Sequence, residues 1–130
     1  MSDYKWLTDD AVKAMHEQLI AAFGGTGGIR DEGLLASALA RPKQIVAYGE
    51  PTVPRLAAAY AYGIARNHPF VDGNKRSALM AAYTFLRING FALAASEVET
   101  VAVIRDLAAD EIDEDALARW IAANTSPLDV

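Results

Sequence analysis

The sequence predicts an all-α fold: about six helices packed around a central apolar helix at about residues 74–89, with a polar loop at that helix's N-terminus. Three observations predict it. Hydrophobic residues make up 52% of the 130 residues, and they lean on alanine and leucine, which favour helix over strand. Two segments, Leu56 to Ala65 and Ala78 to Leu86, are apolar around the whole helical circumference, the pattern of helices buried inside a domain. Capping residues and glycine or proline stops divide the chain at helix-length intervals.

Taken in order, the first helix runs from Thr8, a plausible N-cap, to about Phe23. It carries Val12, Met15, Leu19, Ile20 and Phe23 on one face, and Gly24-Gly25 ends it. His16 shares that apolar face and reads as a packed core histidine. Gly27-Gly28-Ile29-Arg30 reads as a loop. Asp31 can cap a second helix with Leu34, Leu35, Ala38 and Leu39 inward, and Pro42 is expected to stop it. Residues 43–53 read as irregular or extended. Pro54 suits the first turn of a third helix reaching about Asn67. The fourth begins near Gly73 and ends at Asn89-Gly90; its apolar body is expected at the centre of the domain. Ser96 with Glu99 forms a capping box for the fifth, and Asp113 caps the last, which buries Leu117, Trp120 and Ile121. Short strands are expected at Tyr4 to Leu7 and Phe91 to Leu93. Tyr60, Tyr62 and Tyr83 read as core residues with their hydroxyls at the edge.

The length fits a single domain over residues 1–130. With no cysteine, disulfide scaffolds, thiolate zinc sites and cysteine nucleophiles are excluded. The N-terminal stretch lacks the basic and apolar regions of a signal peptide, and the longest apolar run is too short to span a bilayer. Cytoplasmic placement is therefore expected. A net charge of −5 disfavours a direct grip on nucleic acid.

One polar concentration interrupts the apolar region. Arg66, His68, Asp72, Asn74, Lys75 and Arg76 fall between the third and fourth helices. A helix start offers unpaired amides and a partial positive charge of about half an electron, and Gly73 can let a ligand approach the backbone. Lys75 and Arg76 stand at the end of the dipole that prefers acids, so folding alone does not favour them there. An anion would reverse that penalty, making a phosphate-binding corner. Asp72 beside bound phosphate suits Mg²⁺, although an N-cap role is also open to it. Asn74 can donate to a phosphate or fix the loop. His68 is the side chain suited to accept a proton near neutral pH. Arg66 can steady a phosphate or the target.

These residues carry a resemblance. The segment His68-Pro69-Phe70-Val71-Asp72-Gly73-Asn74-Lys75-Arg76-Ser77-Ala78-Leu79 resembles the Fic family pattern His-x-Phe-x-Asp/Glu-Gly-Asn-Gly-Arg-x-x-Arg. It departs at Lys75, where the wider family has glycine, and at Leu79, where it has a second arginine. Both departures are typical of the death-on-curing (Doc) branch, although Doc proteins often have alanine in place of Gly73. Phe23-Gly24-Gly25, Gly28-Ile29-Arg30-Asp31, Leu34 to Pro42 and Phe85 to Gly90 are also similar to Doc sequences. The resemblance implies the Fic fold and an ATP- and Mg²⁺-using kinase. Such a kinase transfers γ-phosphate to a threonine of elongation factor Tu and arrests translation, controlled by a Phd-like antitoxin. It implies His68 as base, Asp72 for Mg²⁺, and Arg66, Gly73, Asn74, Lys75 and Arg76 for nucleotide. No inhibitory Ser/Thr-x-x-x-Glu-Gly/Asn string occurs in the chain. Two alternatives stay open: an AMP transferase on the same scaffold, and a non-catalytic binding protein.

Overall fold

A computed structural model describes residues 3–128. Six helices follow one another: α1 (Asp9–Phe23), α2 (Glu32–Val46), α3 (Val53–Asn67), α4 (Asn74–Ile88), α5 (Glu97–Ala108) and α6 (Glu114–Ala123). Two short strands, β1 (Phe91–Leu93) and β2 (Thr125–Pro127), pair antiparallel, with Ala92 opposite Ser126. The expected all-α architecture stands, with this small sheet attached. Among the described residues no helix is long and apolar enough to cross a membrane.

Local chemistry sets the helix starts. The side chains of Thr8, Asp31, Thr52, Ser96 and Asp113 each accept a hydrogen bond from a first-turn amide of α1, α2, α3, α5 and α6 respectively. Only α4 starts without such a cap; its N-cap is Gly73, in the left-handed region at φ 75°.

The packing corrects one expectation. The centre of the molecule lies on α3 rather than on α4. Helix α3 packs against α2, α4, α5 and α6, and Leu56, Ala57, Ala58, Ala59, Tyr60, Ala61 and Ile64 are fully buried. Helix α4 buries Ala78, Ala81, Ala82, Phe85 and Leu86 but leaves Tyr83 exposed, with Arg87 over its ring. Both helices are apolar in composition. The difference lies in the neighbours: α3 meets four helices, and its small residues Ala57, Ala58, Ala59, Ala61 and Gly63 are buried. Of the three tyrosines, Tyr60 is the core residue; Tyr62 is half-buried between the guanidiniums of Arg41 and Arg66.

Two further corrections concern ends. Pro42 does not stop α2, which continues to Val46 with the proline buried inside it. The proline removes the amide that would bond Ala38 O, and burial of α2 against α3 compensates. At that level the backbone of Gly63 lies so close that a Cβ there would stand 3.0 Å from Ala38 Cα and 3.1 Å from its carbonyl oxygen. The segment from Tyr4 to Leu7 is not a strand. Side chains hold its backbone instead: Asn89 Oδ1 accepts from Lys5 N, Asn89 Nδ2 donates to Lys5 O, and Leu7 N donates to the Tyr60 hydroxyl. The strand at Phe91–Leu93 is present, but it pairs with the C-terminal segment.

Candidate active site

The motif loop starts where α3 runs out of helix. His68 caps α3 in the left-handed conformation, φ 50° and ψ 56°, and its amide still bonds Ile64 O. A non-glycine residue in this region is strained by about 1–2 kcal/mol. The surroundings hold it there. Arg30 Nε donates to His68 O at 2.7 Å and Arg30 Nη2 donates to Asn67 O at 2.8 Å, while Asn67 Nδ2 donates to Leu34 O. The result is an exposed imidazole with no hydrogen-bond partner among the described residues.

From there the chain dives and returns. Pro69 and Phe70 are buried. Pro69 O accepts from the amides of Arg30 and Asp31, and Val71 N donates to Gly28 O, so the 26–31 loop lies along the motif like a short ribbon. Asn74 closes the turn. Its Oδ1 accepts from Phe70 N at 3.0 Å and its Nδ2 donates to Phe70 O at 2.9 Å. Of the two roles open to Asn74, its side chain is thus engaged in fixing the loop rather than pointing outward to a phosphate.

Asp72 is exposed, and its carboxylate is gripped by backbone: Oδ2 accepts from Thr26 N at 3.2 Å and Oδ1 from Gly73 N at 2.8 Å. Those amides, Thr26 first, with Arg76 adding a smaller attraction, hold its carboxyl below the ordinary carboxylate value. It does not cap α4, whose N-cap residue is Gly73. Each oxygen retains a lone pair. This donor set suits a hard cation that takes its other ligands from phosphate and water. Among the described residues no cluster of three or more acidic or imidazole groups could hold a metal alone.

Helix α4 then begins with uncapped amides at Asn74, Lys75 and Arg76. Lys75 is exposed without a partner among the described residues, and Arg76 lies 4.6 Å over the Phe23 ring. Both line a groove of about 520 Å³ between α1, α4 and α5, with Leu19, Phe23, Leu79 and Met80 among its walls. The structure refines the reading of Gly73. Its missing Cβ faces α1, 3.3 Å from Ile20 Cδ1 and 3.7 Å from His16 Nε2. The glycine serves the left-handed turn, and its open side meets protein rather than ligand. Arg66 is drawn elsewhere: it pairs with Asp110 at 2.6 Å and covers Tyr62.

Thus His68, Asp72, Gly73, Asn74, Lys75 and Arg76 all lie at the junction of α3 and α4, while Arg66 is tied to the α5–α6 turn. A family model described as the Fic/DOC family matches residues 6–86. The chain belongs to the Fic/DOC family. Among similar proteins, "Toxin Doc" of Mycolicibacterium smegmatis is 47% identical over 106 residues, spanning 78% of this chain and 81% of the relative. "Protein kinase doc" of Escherichia phage P1 is 38% identical over 85 residues, spanning 65% and 68% respectively. Within the Fic/DOC frame, Lys75 and Leu79 align this chain with Doc-type members.

Sequence reasoning missed the shell around the motif. His16, Gly25, Thr26 and Arg30 all touch it. A Cβ on Gly25, at φ 112°, would lie 2.6 Å from Asp72 Oδ2. The similarity of Gly24-Gly25 and Gly28 to Arg30 to Doc sequences was the available signal, although residue types alone mark only a loop there.

Proposed function

We propose that this chain is the toxin of a toxin–antitoxin pair and acts as a kinase. It would move the γ-phosphoryl group of ATP to a threonine hydroxyl of a translation factor, elongation factor Tu by resemblance, and so arrest translation in the cytoplasm. One observation carries the reading. An exposed imidazole at the end of α3, a carboxylate held in its charged form, and uncapped amides with two cations at the start of α4 lie within one short loop. The names of two relatives, a toxin and a protein kinase, support it.

The steps follow from the groups present. His68 accepts the hydroxyl proton while the hydroxyl oxygen bonds the γ-phosphorus, and the bond to the bridging oxygen breaks so that ADP leaves with the electron pair. Phosphoryl transfer needs mainly positioning and charge stabilisation, which the α4 amides, Lys75 and Arg76 offer. Mg²⁺ held by Asp72 would supply further neutralisation of phosphate charge. Asn74 holds the loop in shape, and Arg66 would contribute after leaving Asp110. The groove beside Lys75 and Arg76 has apolar walls and is also lined by Arg105 and Glu97; its three cations against one acid suit an amphipathic acidic tail such as that of a Phd-like antitoxin. AMP transfer is the weaker alternative, because Lys75 occupies the position of the wider family's glycine and Leu79 lines the groove in place of an arginine. Against a non-catalytic protein stands the intact set of His68, Asp72 and Arg76.

The test is incubation with γ-labelled and α-labelled ATP in separate reactions with bacterial extract. Label from the γ position alone, on one protein band, is expected. Label from the α position points to AMP transfer. Growth arrest that persists in His68→Ala overturns the catalytic reading.

A further inference from the structure

We propose that His16 is a positioning residue of the motif loop: it fixes the carbonyl of Asp72 and the turn at Gly73, and so aims the Asp72 carboxylate and the first amides of α4. The functional consequence rests on the kinase reading above; the structural one does not.

His16 lies on α1, with 2% of its surface exposed, and the only other buried residue of that helix is Val12. Its Nε2 stands 2.7 Å from Asp72 O. A carbonyl oxygen only accepts, so Nε2 carries the hydrogen and donates it. The ring also stacks on Phe70, with centroids 3.9 Å apart and planes at 6°. His16 therefore holds the loop at two points: the Phe70 side chain by its face and the Asp72 main chain by its edge. It also sits where Gly73 has no Cβ, with Cδ2 3.8 Å from that position. Filling space would need only an apolar side chain. A buried ring nitrogen engaged with one loop carbonyl is a constraint on geometry, because an unmade bond would leave the carbonyl of Asp72 without this donor. Turning that peptide unit would move Gly73 N, which bonds Asp72 Oδ1, and with it the carboxylate. His16 itself touches neither His68 nor the exposed side of the loop in any of these contacts, so its action is indirect.

Two variants separate its two contacts. His16→Phe keeps a ring for Phe70 but has no donor; His16→Gln keeps an N–H at similar reach without the ring. In H16F the amides of Thr26 and Gly73 are expected to exchange with solvent about tenfold faster while α3 amides keep their protection, and H16Q is expected to restore them. Transfer of γ-label is expected to fall about 100-fold in kcat in H16F, the scale of a small misplacement, and to recover in H16Q. In the unaltered protein, nitrogen NMR is expected to find a protected imidazole Nε2–H on His16. Unchanged exchange at Thr26 and Gly73 in H16F, or an H16Q as impaired as H16F, overturns the proposal. If H16F does not fold, H16Q losing protection at these amides, or His16 protonated on Nδ1 alone, overturns it equally. If the unaltered protein transfers no label, the kinase reading fails on its own, and exchange and tautomer still decide the role of His16.

Discussion

At the scale of single residues, the site is an imidazole on unusual backbone beside a carboxylate held by amides. Asparagine tolerates the left-handed conformation that His68 adopts, so under the role proposed for His68 the change His68→Asn is expected to keep the melting temperature while transfer falls about 10²–10⁴-fold, the usual contribution of a general base; a rate assay beside a thermal melt checks both. The Asp72 carboxyl is held below its ordinary value by Thr26 N and Gly73 N. A lowered value means that the charged, amide-bonded form persists at ordinary carboxylate pH and is lost only as pH falls through the lower value. A carbon NMR titration of Asp72 is expected to show a midpoint under about 3.9, and a midpoint above it refutes this account of the grip. Gly25→Ala would set a methyl 2.6 Å from Asp72 Oδ2 on backbone at φ 112°. It is expected to lower transfer and to destabilise the fold by about 1–3 kcal/mol, read by activity and urea unfolding together. The motif itself was legible because charged residues at the wrong end of a helix dipole need an explanation. Its supports were not: His16 and Asp72 are 56 positions apart, and Arg30 and His68 are 38 apart. Spacing along the chain says nothing about contacts that only tertiary packing creates.

At the scale of elements, caps were the clearest signal. Thr8, Asp31, Ser96 and Asp113 each bond the amide that their position implies, because capping is a local interaction. Stops were less legible. Pro42 costs α2 one hydrogen bond, but whether the helix survives depends on α3 packing beside it. Likewise composition could not say which apolar helix is central, since that depends on how many neighbours each one meets. The α2–α3 contact is testable. Gly63→Ala places a Cβ against Ala38 at 3.0–3.1 Å, all from backbone and a short side chain, and is expected to cost about 1–3 kcal/mol by overpacking. Helix α6 is fastened differently. Glu114, in its first turn, accepts from Arg41 at 2.6 and 2.7 Å and from Arg55 at 3.3 Å. Burial pushes its carboxyl up, but the two guanidiniums outweigh this and leave it lowered. Both arginines still reach water, so Glu114→Ala is expected to cost about 1–3 kcal/mol. Since a lowered carboxyl stabilises above the ordinary glutamate range and loses that stability as pH falls through its own value, the gap between variant and unaltered protein should close in acid. Urea titrations at neutral and acidic pH measure this.

At the scale of the whole molecule, fold class was legible from composition and periodicity together, and the family from the motif and its flanking segments. The small sheet was half legible: Phe91–Leu93 reads as a strand, whereas its partner, Thr125–Pro127, has no strand pattern and is recruited by the path of α6. One connected core joins Leu7 and Val12 to Leu117 and Ile121. A single cooperative unfolding transition is therefore expected, with tryptophan fluorescence and circular dichroism melting together; separate midpoints would show that the two ends of the chain unfold independently.

The grip on Asp72 has one more consequence. Its half from outside the motif is made by the peptide N–H of residue 26, and the threonine hydroxyl takes no part in it. Sequence drift at that position should therefore be nearly silent, proline excepted, while its neighbour tolerates nothing larger than hydrogen. A library randomised at 25 and 26 and selected for growth arrest should return one fixed column beside one of almost any letter.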